Sequence, residues 1–211
     1  MKKALVAWLV LLVMAISSIG FAEEDVLSAI GDWTYDEKGN FIYVNETLNL
    51  QFNMGNWFYY RDKELYADED GLSVKEWLKS VQTTWDRYDY SNDSVSVMYG
   101  QSKNRKYFTC ISMNRIAEND ELTDERITEF FTEEIDFYQQ NWEPLDIGVG
   151  TINFLGKERP CLRIKHIVDK ETFYTTFVPV VNNGYFARIR LTSKDDDRTD
   201  MIVDKWSLIK K

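Results

Sequence analysis

The chain carries 35 acidic residues but a single histidine, His166, and only two cysteines, Cys110 and Cys161. Those counts restrict the chemistry open to it. Acyl transfer by a Ser-His-acid set needs a positioned imidazole. His166 alternates with Leu162, Ile164 and Val168, so it shares their face of a strand and reads as a core or sheet-edge histidine rather than a general base. No G-x-S-x-G elbow, glycine-rich phosphate loop or H-E-x-x-H pair occurs. One histidine and two distant cysteines do not make a zinc ligand set. No cofactor is expected.

Carboxylates are abundant, and a paired-acid hydrolase needs two of them converging in a cleft. Most acids here fall in turns or on the outer faces of helices, so catalysis is not the favoured reading; a carboxylate-dependent hydrolase is kept as the alternative. Hard-oxygen ligands gather at Asp68-Glu69-Asp70-Gly71, which makes Asp68 and Asp70 candidate calcium ligands. The segment departs from the EF-hand loop pattern, with Tyr66 and Trp77 where a first and a last carboxylate should stand. Aromatic side chains supply a second candidate. Trp57, Phe58, Tyr59, Tyr60 and Tyr66 crowd one stretch, and consecutive residues of an extended chain face both ways. Some of these rings should therefore be exposed, where they could anchor a protein or stack on a glycan. Cys110 and Cys161 allow a disulfide in an oxidising compartment, worth about 4 kcal/mol by loop entropy. Two separate buried thiols are the competing reading.

Those side chains must be held by a regular framework, which the hydrophobic pattern outlines. Trp33–Tyr35 and Phe41–Val44 read as strands joined through Gly39, and Leu48, Leu50, Phe52 and Met54 alternate with polar residues as a half-buried strand. A helix starts at Ser73, where Ser73 and Glu76 form an S-x-x-E capping box ahead of Val74, Trp77, Leu78, Val81 and Trp85. Two strands follow, near Ser94–Tyr99 and Tyr107–Met113. A second helix runs from about Asp124 to Asn141, with Ile127, Phe131, Ile135, Tyr138 and Trp142 on one face, and Pro144 ensures that it has ended. The last third reads as four strands, Ile147–Leu155, Cys161–Val168, Phe173–Val181 and Tyr185–Leu191, the final pair joined by the hairpin signal Asn183-Gly184. Asp195-Asp196-Asp197 then opens a terminal helix expected to carry Met201, Ile202, Trp206 and Ile209.

Upstream of all this, Lys2 and Lys3 precede an uncharged apolar run from Ala4 to Ile16 and the small-x-small site Gly20-Phe21-Ala22. That is the pattern of a secretory signal peptide with cleavage after Ala22. An uncleaved anchor is the competing reading, and the only membrane contact expected is through this segment. The chain thus divides into a signal at 1–22, a loosely held lead-in at 23–30 and one domain at 31–211, secreted or periplasmic. Cleavage removes two lysines and no acid, making the mature chain two units more negative than the −10 of the whole. Such a surface argues against a nucleic-acid partner, which requires clustered Lys and Arg.

Three phrases resemble the Mog1/PsbP-like family. They are Tyr43-Val44-Asn45 followed by Leu48–Phe52 and Gly55-Asn56-Trp57, then Ile152-Asn153-Phe154-Leu155-Gly156, and finally Ile202-Val203-Asp204-Lys205-Trp206. The family's usual proline before the first tryptophan is absent. The resemblance implies an α+β fold, an antiparallel sheet flanked by helices in an α/β/α sandwich. It transfers no functional residue, because members of this fold differ in role. The expectation is a non-catalytic exported domain that binds a protein or cell-envelope component through Trp57–Tyr66, with a calcium- or glycan-binding module as a further alternative.

Overall fold

A computed structural model describes residues 25–55, 57–87, 94–117 and 121–209, with the Phe58 side chain left out. The expected signal peptide lies outside the described residues. Among those described, no helix is long and apolar enough to cross a membrane.

The fold is α+β and entirely antiparallel in its sheets. In chain order the elements are helix α1 (residues 25–30), β1 (Asp32–Tyr35), β2 (Phe41–Asn45), β3 (Leu50–Asn53), β4 (Trp57–Arg61), α2 (Lys63–Glu69), α3 (Val74–Trp85), β5 (Val95–Ser102), β6 (Tyr107–Arg115), α4 (Asp124–Trp142), β7 (Asp146–Phe154), β8 (Lys157–Val168), β9 (Glu171–Asn182), β10 (Tyr185–Lys194), α5 (Thr199–Val203) and β11 (Trp206–Leu208). Seven strands form the main sheet in the order β4-β5-β6-β10-β9-β8-β7, and four form a smaller one, β1-β2-β3-β11. A single sheet was expected, so the second is a difference. Asn49 turns left-handed (φ 55°), and β11 pairs with β3 through Trp206↔Phe52. The terminal segment expected as one helix is accordingly a five-residue helix followed by a strand.

Alternation along the strands divides the main sheet into two faces. The inner face presents Met98, Ile111, Met113, Val178, Ile189 and Leu191, all fully buried beneath α1, α3 and the small sheet. The Ser73–Glu76 capping box forms as read, Ser73 N donating to Glu76 Oε2 at 2.9 Å and Glu76 N to Ser73 Oγ at 3.3 Å. It starts α3, which buries Trp77, Leu78, Val81 and Trp85. The Trp85 indole N–H finds a partner in the Met113 carbonyl at 3.0 Å. Residues expected as a loose lead-in instead belong to this core. Val26, Ala29 and Ile30 are at most 2% exposed, and the Asn45 amide donates to the Ala29 carbonyl at 2.8 Å.

The outer face packs against α4, which Thr123 caps and which ends at Glu143 in the left-handed region (φ 46°) just before Pro144. Ile127, Phe130, Phe131 and Tyr138 from the helix meet Leu162, Ile164, Phe177 and Phe186 from the sheet. Each fully buried side chain of this size contributes about 1.5–3 kcal/mol. α4 packs on β7 and β8. Toward β4 and β5 no described helix covers the outer face.

Candidate functional site

Cross-strand register builds the open part of the outer face. One row runs Arg61, Tyr99, Cys110, Arg190, Phe177 and Leu162 across β4, β5, β6, β10, β9 and β8. Neighbouring strands stand about 5 Å apart, so Arg61 and Arg190 flank Tyr99 and Cys110 across three such steps. Ser112 and Arg188 sit one row above, paired across β6 and β10. Tyr138 and Trp142, from the last turns of α4, and Tyr66 from α2 rise as walls. The result is a groove of about 340 Å³ whose polar lining includes Arg61, Arg188 and Arg190. A second chamber of about 240 Å³ continues from it, sharing Tyr99, Trp142 and Arg190. Phe108, Phe173, Val168 and His166 line that chamber together with Thr175 and Thr192, whose hydroxyls bond each other at 3.0 Å.

The three guanidiniums are not equivalent. Arg61 Nη1 lies 3.0 Å from Glu69 Oε2 on α2, and its plane lies over Tyr99 at 5.4 Å. Arg188 is paired with Glu134 on α4, both side chains largely buried, and Nη2 donates to Ser94 Oγ at 3.1 Å. Among the described residues Arg190 makes no hydrogen bond and no ion pair, and its Nε is buried. Its charge acts on the surroundings all the same. Burial holds the His166 imidazole below its ordinary value, and Arg190 adds to that depression. Burial pushes the Tyr138 hydroxyl up to about 12, with Glu134 adding to the rise and Arg188 and Arg190 opposing it. Burial likewise raises the Glu134 carboxyl, against the pull of Arg188.

Buried polar atoms without partners mark a place where a protein departs from its usual economy. Seven such side-chain atoms occur among the described residues, and Arg61 Nε, Arg190 Nε, Glu134 Oε2 and His166 Nδ1 belong to this groove or its ion pairs. Aromatic contacts fix the walls. Tyr138 stacks on Phe177 with centroids 5.5 Å apart, Trp142 lies 4.9 Å from Tyr138 and 4.8 Å from His166, and His166 stacks on Phe173 at 5.7 Å. The arrangement offers one uncompensated cation, flat rings and an apolar floor, which together suit binding of an anion with an apolar body.

The residues singled out from the sequence are dispersed. Trp57 is only 7% exposed and packs edge-on to Phe52 at 5.2 Å. It does line a wider cavity of about 680 Å³, where the Lys205 ammonium lies 5.8 Å from its ring. Tyr59 faces outward beside Tyr99, whereas Tyr60 packs on Trp33 and Phe41 at the rim of the small sheet. Tyr66 stacks on Trp77 and is the member of that group that reaches the groove. Phe58's side chain lies outside the described residues. Among its described side chains the stretch forms no single exposed patch, because β4 turns alternate residues to opposite faces and α2 carries Tyr66 away. That helix, capped by Asp62 accepting from Leu65 N at 3.0 Å, is not expected from the sequence.

Asp68 and Asp70 lie at the end of α2. The Asp68 carbonyl accepts from Gly71 N at 3.0 Å, and among the described residues no three His, Cys, Asp or Glu side chains gather to hold an ion. Cys110 and Cys161 are free thiols. They sit on β6 and β8 with β10 and β9 between them, Cys110 on the outer face and Cys161 on the inner, far beyond the Cα separation a disulfide tolerates. His166 is a buried sheet histidine as read, but it lines the groove. Arg61, Arg188 and Arg190 carry no signal from a motif. Their one trace is the alternation Ala187-Arg188-Ile189-Arg190-Leu191, two arginines on one face of a strand whose other face is apolar.

No family model and no curated protein matches the chain. Among solved structures, LpqN of Mycobacterium tuberculosis, described as involved in cell envelope biogenesis, aligns at a TM-score of 0.34 and 11% identity. The alignment covers 52% of this chain and 66% of that one, just under two thirds of its length. A likeness of that strength decides neither fold nor role.

Proposed function

We propose that the chain is an exported, non-catalytic binding domain of Mog1/PsbP-like fold whose site is the arginine-and-aromatic groove on the outer face of the main sheet. The groove takes an anionic envelope component, and the observation that carries this reading is Arg190. In a chain with ten more acids than bases, Arg61 and Arg188 each acquire a carboxylate while Arg190, between aromatic walls, acquires none among the described residues. A guanidinium left in that state favours an incoming carboxylate or phosphate, since a charge-assisted pair replaces a cation that is partly desolvated already.

Benzoate, a planar monocarboxylate, is the probe. At concentrations about a hundredfold above its Kd it should raise the thermal midpoint by about 7 °C. Arg190→Gln should abolish the rise, and Lys205→Gln, in the wider cavity near Trp57, should leave it. A rise that survives Arg190→Gln, or that depends on Lys205 instead, refutes the assignment of the site.

A further inference from the structure

The groove's two chambers differ in character, and the difference specifies the ligand. The first is ringed by Arg61, Arg188 and Arg190, with Tyr99 and Ser112 between them. The second, beyond Arg190, is walled by Phe108, Phe173, Trp142 and Val168. Val168 stays 48% exposed at its outer end, so the apolar chamber opens to solvent rather than closing as core. Resting on the anion-site reading above, we infer that the ligand is a single-chain amphiphile with a carboxylate head, its head on Arg190 and its hydrocarbon tail laid across Phe108 and Phe173.

Charge balance selects the head. Arg61 and Arg188 are neutralised by Glu69 and Glu134, which leaves one unit of positive charge for the ligand. A carboxylate supplies one negative charge, whereas a phosphate monoester brings about −1.5 to −2 and would leave its excess facing Glu134 and Glu69. Geometry selects the tail. Arg190 stands at the junction of the two chambers, so a head bound there leaves the apolar chamber as the path open to a chain. His166, held neutral by burial and by Arg190, adds a further flat, uncharged wall.

Calorimetric titration of the intact domain with straight-chain carboxylates tests this, at concentrations below micelle formation. From butyrate to octanoate, affinity should rise about threefold per added methylene. Octanol and octyl phosphate should each bind at least tenfold more weakly than octanoate. Val168→Asn, an exposed and uncharged change that spares the core, should weaken octanoate at least tenfold and leave benzoate within twofold. Phe173→Ser should do the same, and circular dichroism checks that both variants fold. Benzoate binding that depends on Arg190, together with no chain-length dependence, overturns the amphiphile and leaves the anion site standing. Octyl phosphate binding as tightly as octanoate overturns the carboxylate head. Loss of all anion binding overturns both readings.

Discussion

The two faces of the seven-stranded sheet are made by alternate residues of the same strands, yet they serve opposite ends. Along β10, Ala187, Ile189 and Leu191 point inward and are fully buried, while Arg188 and Arg190 point outward into the groove. The inner face is covered by α1, α3 and the second sheet, and the Trp85 indole meets the Met113 carbonyl there, while Thr109 Oγ1 and Trp206 Nε1 are buried on that side without a partner. α4 covers only part of the outer face, and the orphaned atoms of Arg61, Arg190, Glu134 and His166 gather there. Large apolar side chains are concentrated on one side and charged groups with orphaned atoms on the other. A sheet can do this because a substitution on one face leaves the other face's packing nearly untouched.

The largest effect that bears on this contrast is expected at Trp85. It is fully buried, so Trp85→Ala removes a large apolar side chain and orphans the Met113 carbonyl. Denaturant unfolding should show a loss of about 3–5 kcal/mol, and a loss below about 1 kcal/mol would mean that the inner face does not carry the fold.

A smaller, pH-dependent effect is expected at His166 on the outer face. Its folded-state value lies below the ordinary 6.5, so the unfolded chain takes up a proton first as pH falls. The stability is fully present above about pH 6.5 and is lost as pH falls through the depressed folded value. His166→Phe, which keeps the stack between Trp142 and Phe173, should flatten the urea midpoint across that window, and an unchanged slope would show that the histidine is not buried neutral.

The smallest effect is expected at Arg190. Arg190→Leu removes a cation with no partner and should change unfolding stability by less than about 0.5 kcal/mol, or raise it. A loss above about 2 kcal/mol would erase the contrast, because it would make Arg190 part of the framework.

Much of the framework is legible in local pattern. The Ser73–Glu76 capping box, the Asn183-Gly184 turn and the β7–β10 meander follow from residue types within a few positions of one another, and the structure places them within a few residues of the expected bounds. Elements that depend on distant pairing are not legible. β11 exists because Trp206 finds Phe52, α1 is ordered because Asn45 and Tyr43 bind its last carbonyls, and α2 interrupts an aromatic run that reads as continuous surface. The proposed groove is not legible for the same reason. Density of aromatics along the chain points to Trp57–Tyr66, whereas the proposed groove takes residues from β4, α2, β5, β6, α4, β8, β9 and β10.

Taken by itself, the sequence determines which side chains share a face, since strand alternation and helix periodicity are local geometry. It therefore establishes that Arg188 and Arg190 lie together, that His166 lies with Leu162 and Ile164, and that Trp77, Val81 and Trp85 line one stripe. Only the tertiary structure decides which face is covered and how far the cover extends. The reach of α4 across the sheet is set by where its Ile127 to Tyr138 stripe meets strands encoded after it in the chain, and among the described residues that choice leaves Arg190 without a carboxylate.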